Sequence, residues 1–369
     1  MTEKINISKF QLYVIMFHYM LGPASVLCIG GEANQDAWIA IIIASIIGII
    51  NFSLIYGTIY KYNNELSFVK VLEKYFGVII GKIISSIYVI YFLLTSVLII
   101  RHIYEMVTMY LLVGTPIIVI IFLNLLMIIY AVNKGIETIA RAGEIYFFAT
   151  IGAYISFILF LTLSDVIDIN NLFPVLENGL KPVIKASLPL FIIYPFGELV
   201  SFLSIFQYLN KTKGTIKTGA FAIFSATIII TIITILNIVT IGVYLIHNSA
   251  YPTMKMIRLI NVENIIQRLD SLAVLIFLTS SFFKLIIFIF VICNSIRDIT
   301  GVKKYQYFII PAAIIIGIIS ILLITSYTKL IYVTKFVEPY VSLPFELIIP
   351  LIVVIIIVLR KFLHKFKET

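Results

Sequence analysis

The stretch "LPLFIIYPFGELVSFL", residues 188–203, is apolar enough to enter a bilayer yet carries Pro-Phe-Gly-Glu in its middle. Proline removes a backbone donor and clashes with the preceding helical turn, and glycine loosens the helix further. A glutamate at bilayer depth is costly, ionised or unpaired. A membrane helix interrupted beside an acid is therefore the feature the rest of the chain has to explain.

The membrane setting is general. Of 369 residues, 61% are hydrophobic and 12% charged, and the mean hydropathy is +1.11, whereas soluble domains run at about 25% charged residues. A span needs about 20 mainly apolar residues. By that measure ten are expected, over 10–30, 37–60, 79–104, 112–131, 141–163, 186–208, 218–246, 268–297, 305–326 and 339–360. The expected fold is thus an all-α, polytopic membrane protein whose residues 1–369 form one domain. The start, "MTEKINISKF", lacks a cleavable signal's small-residue site, so span 1 is expected to be retained.

A net charge of +9 does not point to nucleic acid, because the bases are dispersed in short loops where they set orientation. With a cytoplasmic N-terminus, 18 of the 27 Lys and Arg fall inside, among them Lys4, Lys9, Lys211 and Arg297. Eight are counted outside, among them Arg101, Arg258, Arg268 and Lys335, and Lys284 is the only lysine in the middle of a span. Both termini are therefore expected in the cytoplasm. Residues 164–185 and 247–267 become long outer connections, the second with an amphipathic stretch expected along the outer rim. Cys28 and Cys293 sit in apolar segments with no disulfide or metal spacing, so neither metal nor other cofactor is expected.

A second interruption lies in "FHYMLGPASVLCIG", residues 17–30, where Gly22-Pro23-Ala24 falls near the centre of span 1. Spans 1 and 6 correspond if the chain divides five plus five, approximately 10–163 and 186–360. An odd number of spans per half inverts one half relative to the other, and paired Gly/Pro interruptions then point to the binding site of an inverted-repeat transporter fold. Unwound backbone at the midplane must face protein, water or ligand. The N-terminal end of a half-helix attracts a carboxylate, and freed carbonyls suit an ammonium or a cation. The amides around Ala24 and Ser25 are the candidate carboxylate donors; the carbonyls near Tyr194 and Phe196 would meet an ammonium.

Ionisable groups inside spans are functional candidates. Glu198 has three readings: proton carrier, ligand contact, or an acid that ties loose backbone together. Lys284, in "FLTSSFFKLIIFIF" (277–290), either takes the place of a coupling cation or forms a structural ion pair with Glu198 or Glu346, with Ser280 and Ser281 at hand. Tyr91 and Thr95 share a face of span 3 at i and i+4 as candidate pocket walls. Glu346, between Pro344 and Pro350, is expected nearer the outer interface. His18 reads as a packing residue and Trp38 as an interfacial anchor. No P-loop, Gly-x-Ser-x-Gly motif or His/Cys cluster occurs, so an enzyme is not expected.

Several segments together resemble a known family: "QDAW" (35–38), "PFGELVSFL" (195–203), "YPT" (251–253) and "RLDS" (268–271), with Lys284 following. In this order and spacing they look like the permease-like B subunit of the endospore nutrient germinant receptors, similar in turn to the amino acid–polyamine–organocation transporters. The resemblance covers nearly the whole chain. It implies a ten-helix inverted-repeat fold in the spore inner membrane, A and C receptor subunits as partners, and a small nutrient, commonly an amino acid, as ligand. Carried over by residue, the pocket would comprise Gly22, Pro23, Ala24, Ser25, Tyr194, Pro195, Phe196, Gly197 and Glu198, with Tyr91, Thr95 and Lys284 as flanking walls. Span 1 reads Gly-Pro-Ala where many amino-acid carriers are richer in glycine, and its proline removes one amide donor. An active amino-acid or cation symporter of the same fold, with Lys284 or Glu198 handling the coupling charge, is the alternative.

Overall fold

Runs of Ile, Leu, Val and Phe too long for a soluble core bury their backbone polarity within helices, the form available to a single segment in lipid. A computed structural model describes residues 6–192, 194–210, 213–262, 266–267 and 269–367. Lys4, Lys211 and Arg268, used above for orientation, lie outside the described residues.

Among the described residues ten helices have the length and apolarity to cross a membrane, the number expected. They are span 1 (Lys9–Leu27), span 2 (Gly31–Tyr62), span 3 (Val78–Tyr110), span 4 (Ile117–Lys134) and span 5 (Ile136–Thr162). Span 6 (Leu180–Ser204), span 7 (Thr215–His247), span 8 (Asp270–Thr300), span 9 (Tyr305–Leu323) and span 10 (Tyr327–Leu363) complete the set. The chain is an integral, multi-pass membrane protein.

The spans sort into a centre and a periphery. In spans 1 and 8, 78% of the most apolar window is buried, against 28% in spans 4, 5 and 10. Span 8 packs along span 3, and span 1 lies against spans 5, 7 and 8. The periphery shows lipid-compatible side chains such as Ile79, Ile145 and Leu322, each at least 71% exposed. That much apolar surface has no place in water. Small residues allow close helix approach, as is usual where lipid supplies no hydrophobic drive: a Cβ on Gly219 of span 7 would strike the Phe52 ring of span 2.

Two segments differ in form from the expectation. The amphipathic stretch of the second long connection forms a short helix, Pro252–Ile257, with Pro252, Thr253, Met254, Met256 and Ile257 buried. Its apolar face turns inward, and Asn237 of span 7 donates to the Thr253 hydroxyl at 2.9 Å. Span 10 begins at Tyr327 rather than 339, so Lys335 and Glu338 belong to it. Its helix contains two wide π-turns, Val333–Val337 and Pro344–Ile348.

Span 1 opens with a capping box in which Ser8 accepts from the Gln11 amide and the Gln11 side chain accepts from the Ser8 amide. Just before it, the Ile7 amide donates to the Tyr208 carbonyl (2.8 Å), and the Asn210 amide donates to the Ile7 carbonyl (3.1 Å). The start of span 1 is thereby laced to the segment that follows span 6.

Candidate functional site

Local sequence sets the geometry first. In span 1 the α-helix runs Lys9–Leu21, Gly22 and Pro23 form a turn, and a four-residue helix, Ala24–Leu27, follows. In span 6 the α-helix runs Leu180–Ile192, Tyr194 to Phe196 form a turn, and a 3-10 helix, Gly197–Ser204, continues the chain. Proline at 23 and 195 removes a donor at each turn.

The two turns meet. The Ala24 amide donates to the Tyr194 hydroxyl, and the Ser25 hydroxyl donates to the Gly22 carbonyl at 2.9 Å. The Ser25 amide also points at the Gly22 carbonyl, at 3.3 Å. The candidate carboxylate donors are thus engaged within the protein, one of them by a side chain from the opposite turn. A Cβ on Gly22 would lie 3.7 Å from the Ser281 hydroxyl and 3.8 Å from Lys284 Cδ, so span 8 faces the span 1 turn directly.

Lys284 and Glu198 form an ion pair, the side chains 1% and 2% exposed. The Lys284 ammonium also lies 3.8 Å from the centre of the Tyr194 ring and 5.3 Å from that of Tyr19. Desolvated cation–π contacts of this kind are worth about 2 kcal/mol. Of the two partners weighed for Lys284, Glu198 is the one in contact. Freed carbonyls are also claimed: Tyr19 donates to the Glu198 carbonyl at 2.9 Å. The Tyr56 hydroxyl sits between the carbonyls of Gly197 (2.9 Å) and Glu346 (2.6 Å).

Glu346 corrects a further expectation. Rather than lying toward the outer interface, its side chain is fully buried, accepts from the Tyr91 hydroxyl, and would collide with any Cβ placed on Gly197. The local backbone is irregular: a π-turn runs Pro344–Ile348 and Pro350 has no N–H for the Glu346 carbonyl, and the carbonyls of Phe345 and Glu346 are taken by Tyr88 (2.5 Å) and Tyr56. Such turns occur frequently at functional positions. Tyr91 stacks on Phe345 at 4.6 Å, whereas Thr95 gives its hydroxyl to the Tyr91 carbonyl one turn back. Phe196, 1% exposed, packs against Gly48 of span 2.

The expected site residues therefore lie around one buried centre, with Thr95 turned to its own helix. His18 stacks on Phe283 at 4.9 Å, as a packing residue would. Beside Ser25 a cavity of about 30 Å³ is lined by Tyr154, Phe157, Ile233, Met256 and Ala273 among others, room for about one or two water-sized groups. Sequence reading missed Tyr19, Tyr56 and the role of Glu346. It also counted Arg101 with the outer segments, whereas Arg101 lies buried within span 3 and pairs with Glu105 at 2.8 Å, an i, i+4 pair of opposite charges that was a usable signal.

A family model described as "Spore germination protein" matches residues 6–329. Spore germination protein KB of Bacillus subtilis (strain 168) is 32% identical over 360 residues, 97% of this chain and 96% of that protein. Spore germination protein YndE of the same organism is 25% identical over 88% of this chain and 87% of its own. Spore germination protein XB of Bacillus anthracis is 27% identical over 80% of this chain and 81% of its own.

Proposed function

The chain belongs to the spore germination protein family, and from that membership we propose that it is the nutrient-sensing subunit of a germinant receptor. It sits in the spore inner membrane with both termini cytoplasmic, and its two halves are inverted repeats. A small nutrient, an amino acid, binds between the turns of spans 1 and 6. A and C subunits carry the signal onward. Its work is recognition rather than catalysis.

The observation that supports this reading is the contact between the two turns, where the Tyr194 hydroxyl occupies the Ala24 amide. A ligand carboxylate is a stronger acceptor than a neutral hydroxyl. In displacing Tyr194 it would change how span 6 packs against span 1. A ligand with different affinity for the two packings shifts their populations, and partner subunits read the shift.

The test is equilibrium binding of labelled L-amino acids to the purified chain, with Gly22→Leu as control. The leucine would project from the span 1 turn toward Ser281 and Lys284 of span 8. Saturable binding that disappears in Gly22→Leu is the expected result; equal binding by the variant removes the pocket from this position. A second reading, an amino-acid or cation symporter, is favoured by the buried Lys284–Glu198 pair, a charge arrangement suited to coupling. Net uptake into proteoliposomes would select it, and binding without uptake would select the receptor.

A further inference from the structure

Acidic side chains outnumber basic ones around the two turns. Lys284 has Glu198 as its ion-pair partner, and among the described residues no Lys or Arg forms an ion pair with Glu346. Glu346 is 0% exposed. One of its oxygens, Oε1, accepts from Tyr91; the other, Oε2, has no hydrogen-bond partner among the described residues and points at Gly197 in the span 6 turn. Glu338, on the same span, adds a further acid within electrostatic reach of Glu198 and Lys284. A buried carboxylate oxygen with no donor is expensive.

At the span 1 turn, the Ser281 hydroxyl is fully buried, has no hydrogen-bond partner among the described residues, and lies nearest the Cβ position of Gly22. Each turn is therefore faced by a buried polar atom without a hydrogen-bond partner among the described residues, Ser281 at one and Glu346 Oε2 at the other. An acceptor aimed at the span 6 turn, near carbonyls already held by Tyr56 and Tyr19, calls for a cationic donor with several hydrogens.

We propose that Glu346 receives the ammonium group of the nutrient, making a primary amine an obligatory part of the ligand. This rests on the nutrient-sensing reading above and adds to it the residue that selects for the amine. The ligand ammonium donates to Glu346 Oε2, and the carboxylate of an amino acid, at the other end, competes with Tyr194 for the Ala24 amide. Lys284 stays paired with Glu198 and discriminates against ligands that bring a second positive charge.

The test uses spores whose nutrient response depends on this chain. They are exposed to an acid hydrolysate of casein and to the same hydrolysate after N-acetylation, which removes the ammonium charge. A response to the first and none to the second is expected. Glu346→Gln should raise the half-response concentration at least tenfold at an unchanged level of chain in the membrane. No response to the untreated hydrolysate, an equal response to the acetylated one, or an unchanged half-response concentration in Glu346→Gln each overturns the proposal. Should the glutamine chain be absent from the membrane, Glu346→Asp decides instead. It keeps the charge but withdraws it by one methylene, so a tenfold rise supports the role and an unchanged value overturns it. Loss of response in Gly22→Leu beside a normal response in Glu346→Gln leaves the nutrient-sensing reading standing and this one fallen. A normal response in both removes the pocket itself.

Discussion

Removing one member of the Lys284–Glu198 pair and removing both are different experiments. The two side chains are essentially without solvent, so a lone survivor is a buried, uncompensated charge. Breaking such a pair costs about 3–5 kcal/mol, whereas replacing both members can be neutral. Lys284→Met and Glu198→Gln should each lower the thermal midpoint of the purified chain by several degrees. The double variant should recover most of the loss. Additive losses would mean that each side chain is held by other neighbours. Lys284 was conspicuous in the sequence because it is an ion in the middle of "FLTSSFFKLIIFIF". Its partner was not, since Glu198 and Glu346 stood equally available until the rotations of spans 6 and 10 were known.

At the scale of the element, span 10 carries the clearest departure from regularity. At its π-turn Pro344–Ile348, and ahead of Pro350, the carbonyls of Glu346 and Phe345 accept from tyrosines on spans 2 and 3. Tyr56→Phe leaves the carbonyls of Gly197 and Glu346 without that donor. A loss of about 1–2 kcal/mol is expected, measured as a lower midpoint with the chain still inserted. No loss would mean that the π-turn holds itself. Hydropathy located all ten spans because length and apolarity are local properties. It could not say which face of span 10 turns inward, since the span is apolar almost all round and a π-turn re-aims the side chains that follow. The turns at Gly22-Pro23 and Pro195-Phe196-Gly197 were legible because proline and glycine act on their own backbone. The Pro252–Ile257 helix was placed on the rim because its amphipathic pattern fixes one apolar face but not what covers it. Its buried Met254 and Met256 show that the protein does.

For the whole molecule, an even number of spans and the excess of Lys and Arg on alternate loops predict one side for both ends. Reporter tags after residue 369 and before residue 1 should both be reached only from the cytoplasmic side, and a tag near Asp168 only from outside. Ends on opposite sides would show that one of the ten helices does not cross. Within that frame, the pairing of Ile7 with Tyr208 and Asn210 acquires a mechanical meaning. It joins the entry of span 1 to the exit of span 6 as the closed end joins the arms of a pair of tweezers. The arm from Lys9 to Leu21 has 13 residues and is about 20 Å long. A tilt of about 5° at the joined end therefore moves its tip by about 2 Å, a displacement comparable to a one-atom change in what lies between the jaws.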